Sequence, residues 1–90
     1  MEPTCIFCRI VEGRVPSTRV YEDGLCVVIR DIRPQAPVHL LVLPRTHVQS
    51  LWELDDEALA GRLLSVASRV ARSEGLDKGW RLIANTRDHG

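Results

Sequence analysis

The stretch Leu25-Cys26-Val27-Val28-Ile29-Arg30-Asp31-Ile32-Arg33-Pro34-Gln35-Ala36-Pro37-Val38-His39-Leu40-Leu41-Val42-Leu43 holds two apolar runs of strand length, separated by a segment with two prolines. Pro34 and Pro37 lack backbone donors and push Arg33 and Ala36 towards extended conformations, so residues 31–37 read as a shaped loop. Val38–Leu43 is a strand that Pro44 ends, and its nearly unbroken apolar character predicts burial on both faces. On the N-terminal side, Glu22-Asp23-Gly24 is a turn signal between Val20-Tyr21 and Leu25–Ile29, which predicts a hairpin.

Working outward, Cys5-Ile6-Phe7-Cys8-Arg9-Ile10-Val11 has the spacing of a short helix with Phe7, Ile10 and Val11 on one face, punctuated by Gly13 and Pro16. A longer helix is predicted after Leu54, with Asp55 as N-cap, acids Asp56 and Glu57 in its first turn and Gly75 as its stop. Leu59, Leu63, Val66, Ala67, Val70 and Ala71 recur along one face of it. Trp80-Arg81-Leu82-Ile83-Ala84-Asn85 reads as a fourth strand. The order strand, strand, strand, helix, strand predicts an α+β fold, an antiparallel sheet with one long helix on a face.

Ninety residues allow a single domain, 1–90, and exclude two, since domains typically run about 100–150 residues. With 44% hydrophobic and 27% charged residues the chain has the composition of an ordered globular protein. Twelve basic side chains balance twelve acidic ones, a net charge of zero, which removes the field that would gather nucleic acid or an anionic membrane surface. Neither a membrane span nor a secretory signal is legible, so a cytoplasmic protein is expected. Three cysteines, an odd number, point away from a disulfide framework and towards metal, redox chemistry or burial.

Cys5-x-x-Cys8 is a spacing at which two thiolates reach one metal ion, and His47, just beyond the third strand, offers a third ligand. The alternative is two inert buried thiols, and spacing alone weighs the two equally. Cys26, in an apolar strand, reads as core. His39 among apolar neighbours reads first as a half-buried strand residue. Asp31 at a strand exit is the kind of acid that can hydrogen-bond ribose hydroxyls, but locally it reads first as a turn-forming residue. Asn85 is either a strand terminator or a ligand contact. No phosphate-cradling glycine loop, G-x-S-x-G or H-E-x-x-H is present.

Together, Cys5–Val11 with Gly13 and Pro16, Tyr21-Glu22-Asp23, Asp31–His39, Leu43-Pro44-Arg45-Thr46-His47, and Gly75–Arg81 with Asn85 resemble the histidine triad (HIT) family, its Hint-type branch most closely. Asp-Ile-x-Pro-Gln-Ala-Pro-x-His is the most specific element. The resemblance implies a homodimer whose two sheets pair. It also implies hydrolysis or transfer of nucleotidyl groups at an α-phosphate, from a purine nucleotide or nucleoside phosphoramidate, through a nucleotidyl-histidine intermediate. Phe7, Ile10, Ile29 and Ile32 look like walls of the base pocket, Asp31 like the ribose ligand, His39 like a supporting histidine and Asn85 like a polar group near the phosphate. Cys5, Cys8 and His47 match three ligands of a structural zinc site, whose fourth in the family is the first histidine of an H-x-H-x-H strand.

That motif does not occur in residues 1–90, where His89 is a single histidine in another context. The expectation is therefore a HIT-like domain without its last strand and with no catalytic residue in residues 1–90, inactive alone. A non-catalytic nucleotide-binding protein and a zinc-stabilised interaction module are the competing readings.

Overall fold

The computed structural model describes residues 5–31, 34 and 36–86. The chain divides into two compact units, 1–47 and 48–90. The architecture is α+β. Helix α1 (Ile6–Val11) and strands β1 (Arg19–Glu22), β2 (Cys26–Arg30) and β3 (Leu40–Pro44) belong to the first unit, and helix α2 (Glu57–Ser73) to the second.

The three strands form one antiparallel sheet in the order β1-β2-β3. Asp23 builds the predicted hairpin turn: its Oδ1 accepts from the amides of Leu25 (2.8 Å) and Cys26 (2.9 Å), and its Oδ2 from the Tyr21 hydroxyl (2.7 Å). These bonds satisfy the turn's donors with a side chain, which is why an Asx residue stands there. Between β2 and β3 the register runs Cys26 opposite Pro44, Val27 opposite Leu43, Val28 opposite Val42, Ile29 opposite Leu41 and Arg30 opposite Leu40.

Alternation along the strands therefore puts Val27, Ile29, Leu41 and Leu43 on one face. Ile10 and Val11 of α1 join Val27, Ile29 and Leu43 in a buried cluster, with Val15 and Leu41 packed against it. Burial of each such side chain is worth about 1.5–3 kcal/mol, enough to hold a six-residue helix that would not persist alone.

Two expectations about strands are corrected. The doubly buried strand is β2, whose Cys26, Val27 and Val28 are fully buried, whereas β3 is half-buried except at Leu43. The order of the sheet explains this, since among the described residues β3 is an edge and β2 is central. Trp80–Asn85 has strand composition but no regular structure, with Leu82 and Ile83 exposed. Strand composition becomes a strand only when its backbone finds a ladder, and among the described residues this segment has none.

Helix α2 starts one residue later than predicted. Asp56, not Asp55, is the N-cap, its Oδ1 accepting from the Leu59 amide at 3.0 Å, and Gly75, at φ 75°, ends the helix in the left-handed region. Leu59, Val66, Ala67, Val70 and Ala71 are buried, as the helical spacing required, whereas Leu63 on the same stripe is half-buried. A single 3-10 turn at Leu51–Glu53 precedes it, with the Ser50 side chain as its cap. Among the described residues no helix is long and apolar enough to cross a membrane.

Candidate functional site

Two groups of polar side chains flank β3 in the first unit. Before the strand, His39 lies across from Asp31, the residue that follows β2. The Asp31 amide donates to the His39 carbonyl at 3.0 Å, extending the β2–β3 ladder by one step, and His39 Nε2 stands 3.5 Å from Asp31 Oδ2. Both side chains are partly exposed, 33% for His39 and 20% for Asp31. By register they continue the row formed by Ile29 with Leu41 and Val27 with Leu43. The sheet thus sets a carboxylate and an imidazole at the end of an apolar row.

The residues expected to wall a base pocket divide by exposure. Ile10 and Ile29 are buried in the same cluster. Phe7, one turn before Ile10 on α1, is 45% exposed, and Ile6 beside it is 48% exposed. Ile6, four residues before Ile10 and so on the same helical face, is a further exposed apolar side chain that the i,i+4 spacing could have found. Ile32 and His89 lie outside the described residues. Asn85 is exposed in the irregular segment of the second unit.

Beyond the strand, His47 meets the start of α1. Ligand atoms of Cys5, Cys8 and His47 all lie within 4.8 Å of one another, and Cys8 Sγ is 3.0 Å from His47 Nδ1. Cys8 is buried, Cys5 half-buried and His47 exposed. Donors bound tetrahedrally to zinc at about 2.0–2.3 Å stand roughly 3.3–3.8 Å apart, so the three side chains need little movement to hold such an ion. Two sulfurs and one imidazole nitrogen are also the donor types that zinc prefers. The geometry is compatible with the metal reading of Cys5-x-x-Cys8, and none of the three cysteines is in a disulfide.

One further side chain joins these elements. Arg19 of β1, paired with Ile29, donates from its guanidinium to the carbonyls of Ile10 (2.9 Å) and Val11 (3.1 Å) and forms an ion pair with Glu22. No sequence signal marks it beyond its charge in a strand. A shallow cleft of about 250 Å³ in the second unit, lined by Arg72, Leu76, Asp77, Gly79 and Trp80, contains none of the expected site residues.

Comparison with known proteins places these features in a family. The model of the HIT domain matches residues 12–90, running across the boundary between the two units. The chain is 39% identical over 93 residues to the purine nucleoside phosphoramidase of Escherichia coli K12, a match covering 100% of this chain and 78% of that protein. A HIT family hydrolase from Legionella pneumophila superposes with a TM-score of 0.91 at 39% identity, over 96% of this chain and 80% of the other. A zinc-bound histidine triad family protein from Mycobacterium smegmatis is 43% identical, with a TM-score of 0.69, over 77% of this chain and 49% of its own.

Proposed function

This chain belongs to the HIT domain family, and on that premise we propose that it binds a purine nucleotide or nucleoside phosphoramidate at the Asp31–His39 end of its sheet. Its relatives support a nucleotide hydrolase type of function. The observation that carries the finer reading is the cross-strand Asp31–His39 pair at the end of the apolar row. A carboxylate there can accept from ribose hydroxyls. The exposed Phe7 ring offers a face for the base, with the buried Ile10 and Ile29 as further walls; Ile32 is proposed as a wall from the family resemblance alone. Asn85 is proposed as the polar contact near the phosphate.

The reaction proposed for the family site is attack of a histidine nitrogen on the α-phosphorus. The leaving amine or phosphate departs, and water then cleaves the phosphorus–nitrogen bond of the intermediate. Residues 1–90 contain histidines only at 39, 47 and 89, which form no H-x-H-x-H. Residues 1–90 by themselves are therefore proposed to bind without turnover. The whole chain is proposed as one HIT-like domain, a reading supported by the family match across both units. Pairing of two chains through their sheets, in the cytoplasm where free thiols persist, completes the proposal.

Cys5, Cys8 and His47 are proposed to hold a structural zinc ion, which would supply a cross-link between the start of α1 and the segment after β3. The reading is supported by the donor set and its spacing. The zinc-stabilised interaction module is kept as the second reading on that same cluster.

Titration calorimetry of the 90-residue chain with AMP and with 2′-deoxy-AMP tests the nucleotide reading. AMP is expected to bind more tightly, and Asp31→Asn to weaken AMP about tenfold, the effect of losing a charge-assisted hydrogen bond, while leaving 2′-deoxy-AMP less affected. Equal affinities for AMP in the two proteins would remove Asp31 from the site.

A further inference from the structure

We infer that Arg19 is a positioning residue for base recognition: it touches no ligand, and it fixes the helix that carries Phe7 and Ile10 against the strand that carries Ile29 and leads to Asp31. The inference rests on the proposed nucleotide site.

Helix α1 has six residues, too few to hold its shape by its own hydrogen bonds. Its C-terminal carbonyls lack partners inside the helix. Here the Ile10 carbonyl accepts from the Gly13 amide at 3.0 Å and from Arg19 Nη2 at 2.9 Å, and the Val11 carbonyl accepts from the same nitrogen at 3.1 Å. A guanidinium at a helix C-terminus also meets the negative end of the peptide dipoles. Glu22 holds the other side of that guanidinium, and Arg45 Nη2 approaches Glu22 at 3.7 Å while its Nε donates to the Asp23 carbonyl at 2.6 Å. The chain of contacts ties the hairpin turn to the backbone of Ile10.

Its position on the sheet gives this clamp a consequence for binding. Arg19 is the register partner of Ile29, so the residue that faces Ile29 across the sheet also bonds, through its side chain, to the helix that carries Phe7 and Ile10. Asp31 and His39 depend on β2 and β3 instead. Loosening Arg19 should therefore disturb the base walls and spare the ribose contact, a separation that general loss of stability would not produce.

The test measures binding of AMP, CMP and 2′-deoxy-AMP to the wild-type 90-residue chain, to Arg19→Ala and to Arg19→Lys, with amide hydrogen exchange on each. In Arg19→Ala the preference for AMP over CMP is expected to fall about three- to tenfold, while the preference for AMP over 2′-deoxy-AMP stays. Arg19→Lys, which keeps the charge and one donor group, restores part of the base preference. The Arg9, Glu12 and Gly13 amides, bonded to Cys5, Cys8 and Ile10 carbonyls, exchange faster in Arg19→Ala. Should Arg19→Ala fail to fold, Arg19→Lys carries the comparison. Unchanged base preference in the variants, or base and ribose preferences falling together, overturns the inference. Wild-type protein that binds none of the three nucleotides sinks the nucleotide reading and the inference with it, whereas tight AMP binding indifferent to Arg19 sinks the inference alone.

Discussion

Asp23 accepts from the Leu25 and Cys26 amides and from the Tyr21 hydroxyl, and its own amide donates to the Cys26 carbonyl at 3.0 Å. The sequence marked it as a turn residue from Glu22-Asp23-Gly24 alone. That one carboxylate would satisfy three donors required the tertiary arrangement. Asp23→Ala is expected to cost about 1–3 kcal/mol of stability, the scale of losing such acceptors at partly buried amides. A urea titration with an unchanged slope and a lowered midpoint would register it, and a loss under about 0.5 kcal/mol, the range of ordinary surface changes, would show that the turn holds without it. Asp31 illustrates the opposite limit: its local sequence favours a turn residue over a ribose ligand, and its approach to His39 across eight residues of chain decides its surroundings.

At the scale of elements, α2 was legible because its apolar positions repeat over 17 residues and every buried one falls on the stripe. Its start was ambiguous, since Asp55 and Asp56 are adjacent and either side chain can cap. The bond from the Leu59 amide to Asp56 decides between them. Asp56→Ala should therefore cost about 1 kcal/mol and Asp55→Ala less than about 0.5 kcal/mol, a difference that thermal melts of the two variants can read. Equal effects would mean that the cap is shared. The 3-10 turn lies outside the predicted elements although Ser50-Leu51-Trp52-Glu53 has the capping-box spacing, with Ser50 hydrogen-bonded to both the Trp52 amide and the Glu53 carboxylate. Burial of β2 rather than β3 was not legible, because both runs are apolar and only strand order distinguishes a central strand from an edge. Trp80–Asn85 failed for the same reason: composition offers a strand, and pairing makes one.

For the whole molecule, the Cys5, Cys8 and His47 cluster brings His47 to two cysteines that precede it by 39 or more positions in the chain. A metal ion there closes a long loop and binds the folded state preferentially, so loading should raise thermal stability by mass action. In reducing buffer, zinc is expected to raise the melting midpoint of the chain by several degrees, about 4–8 °C for each kcal/mol of linkage. Cys8→Ser should abolish the rise, and a chelator should reverse it. A midpoint indifferent to zinc in the wild-type protein would exclude a structural metal.

The sequence by itself determined the local grammar of this protein: the hairpin turn, the long amphipathic helix, and the cysteine and histidine spacing that suggests a metal. These follow from dihedral limits, hydrophobic periodicity and side-chain chemistry, which act over a few residues. Only the tertiary structure decided which strand is central, that His39 faces Asp31, that His47 closes on Cys8, and that Arg19 holds the end of α1. Each of those depends on strand order and register, set by cooperative pairing and burial between segments distant in the chain, and no short stretch of sequence encodes it.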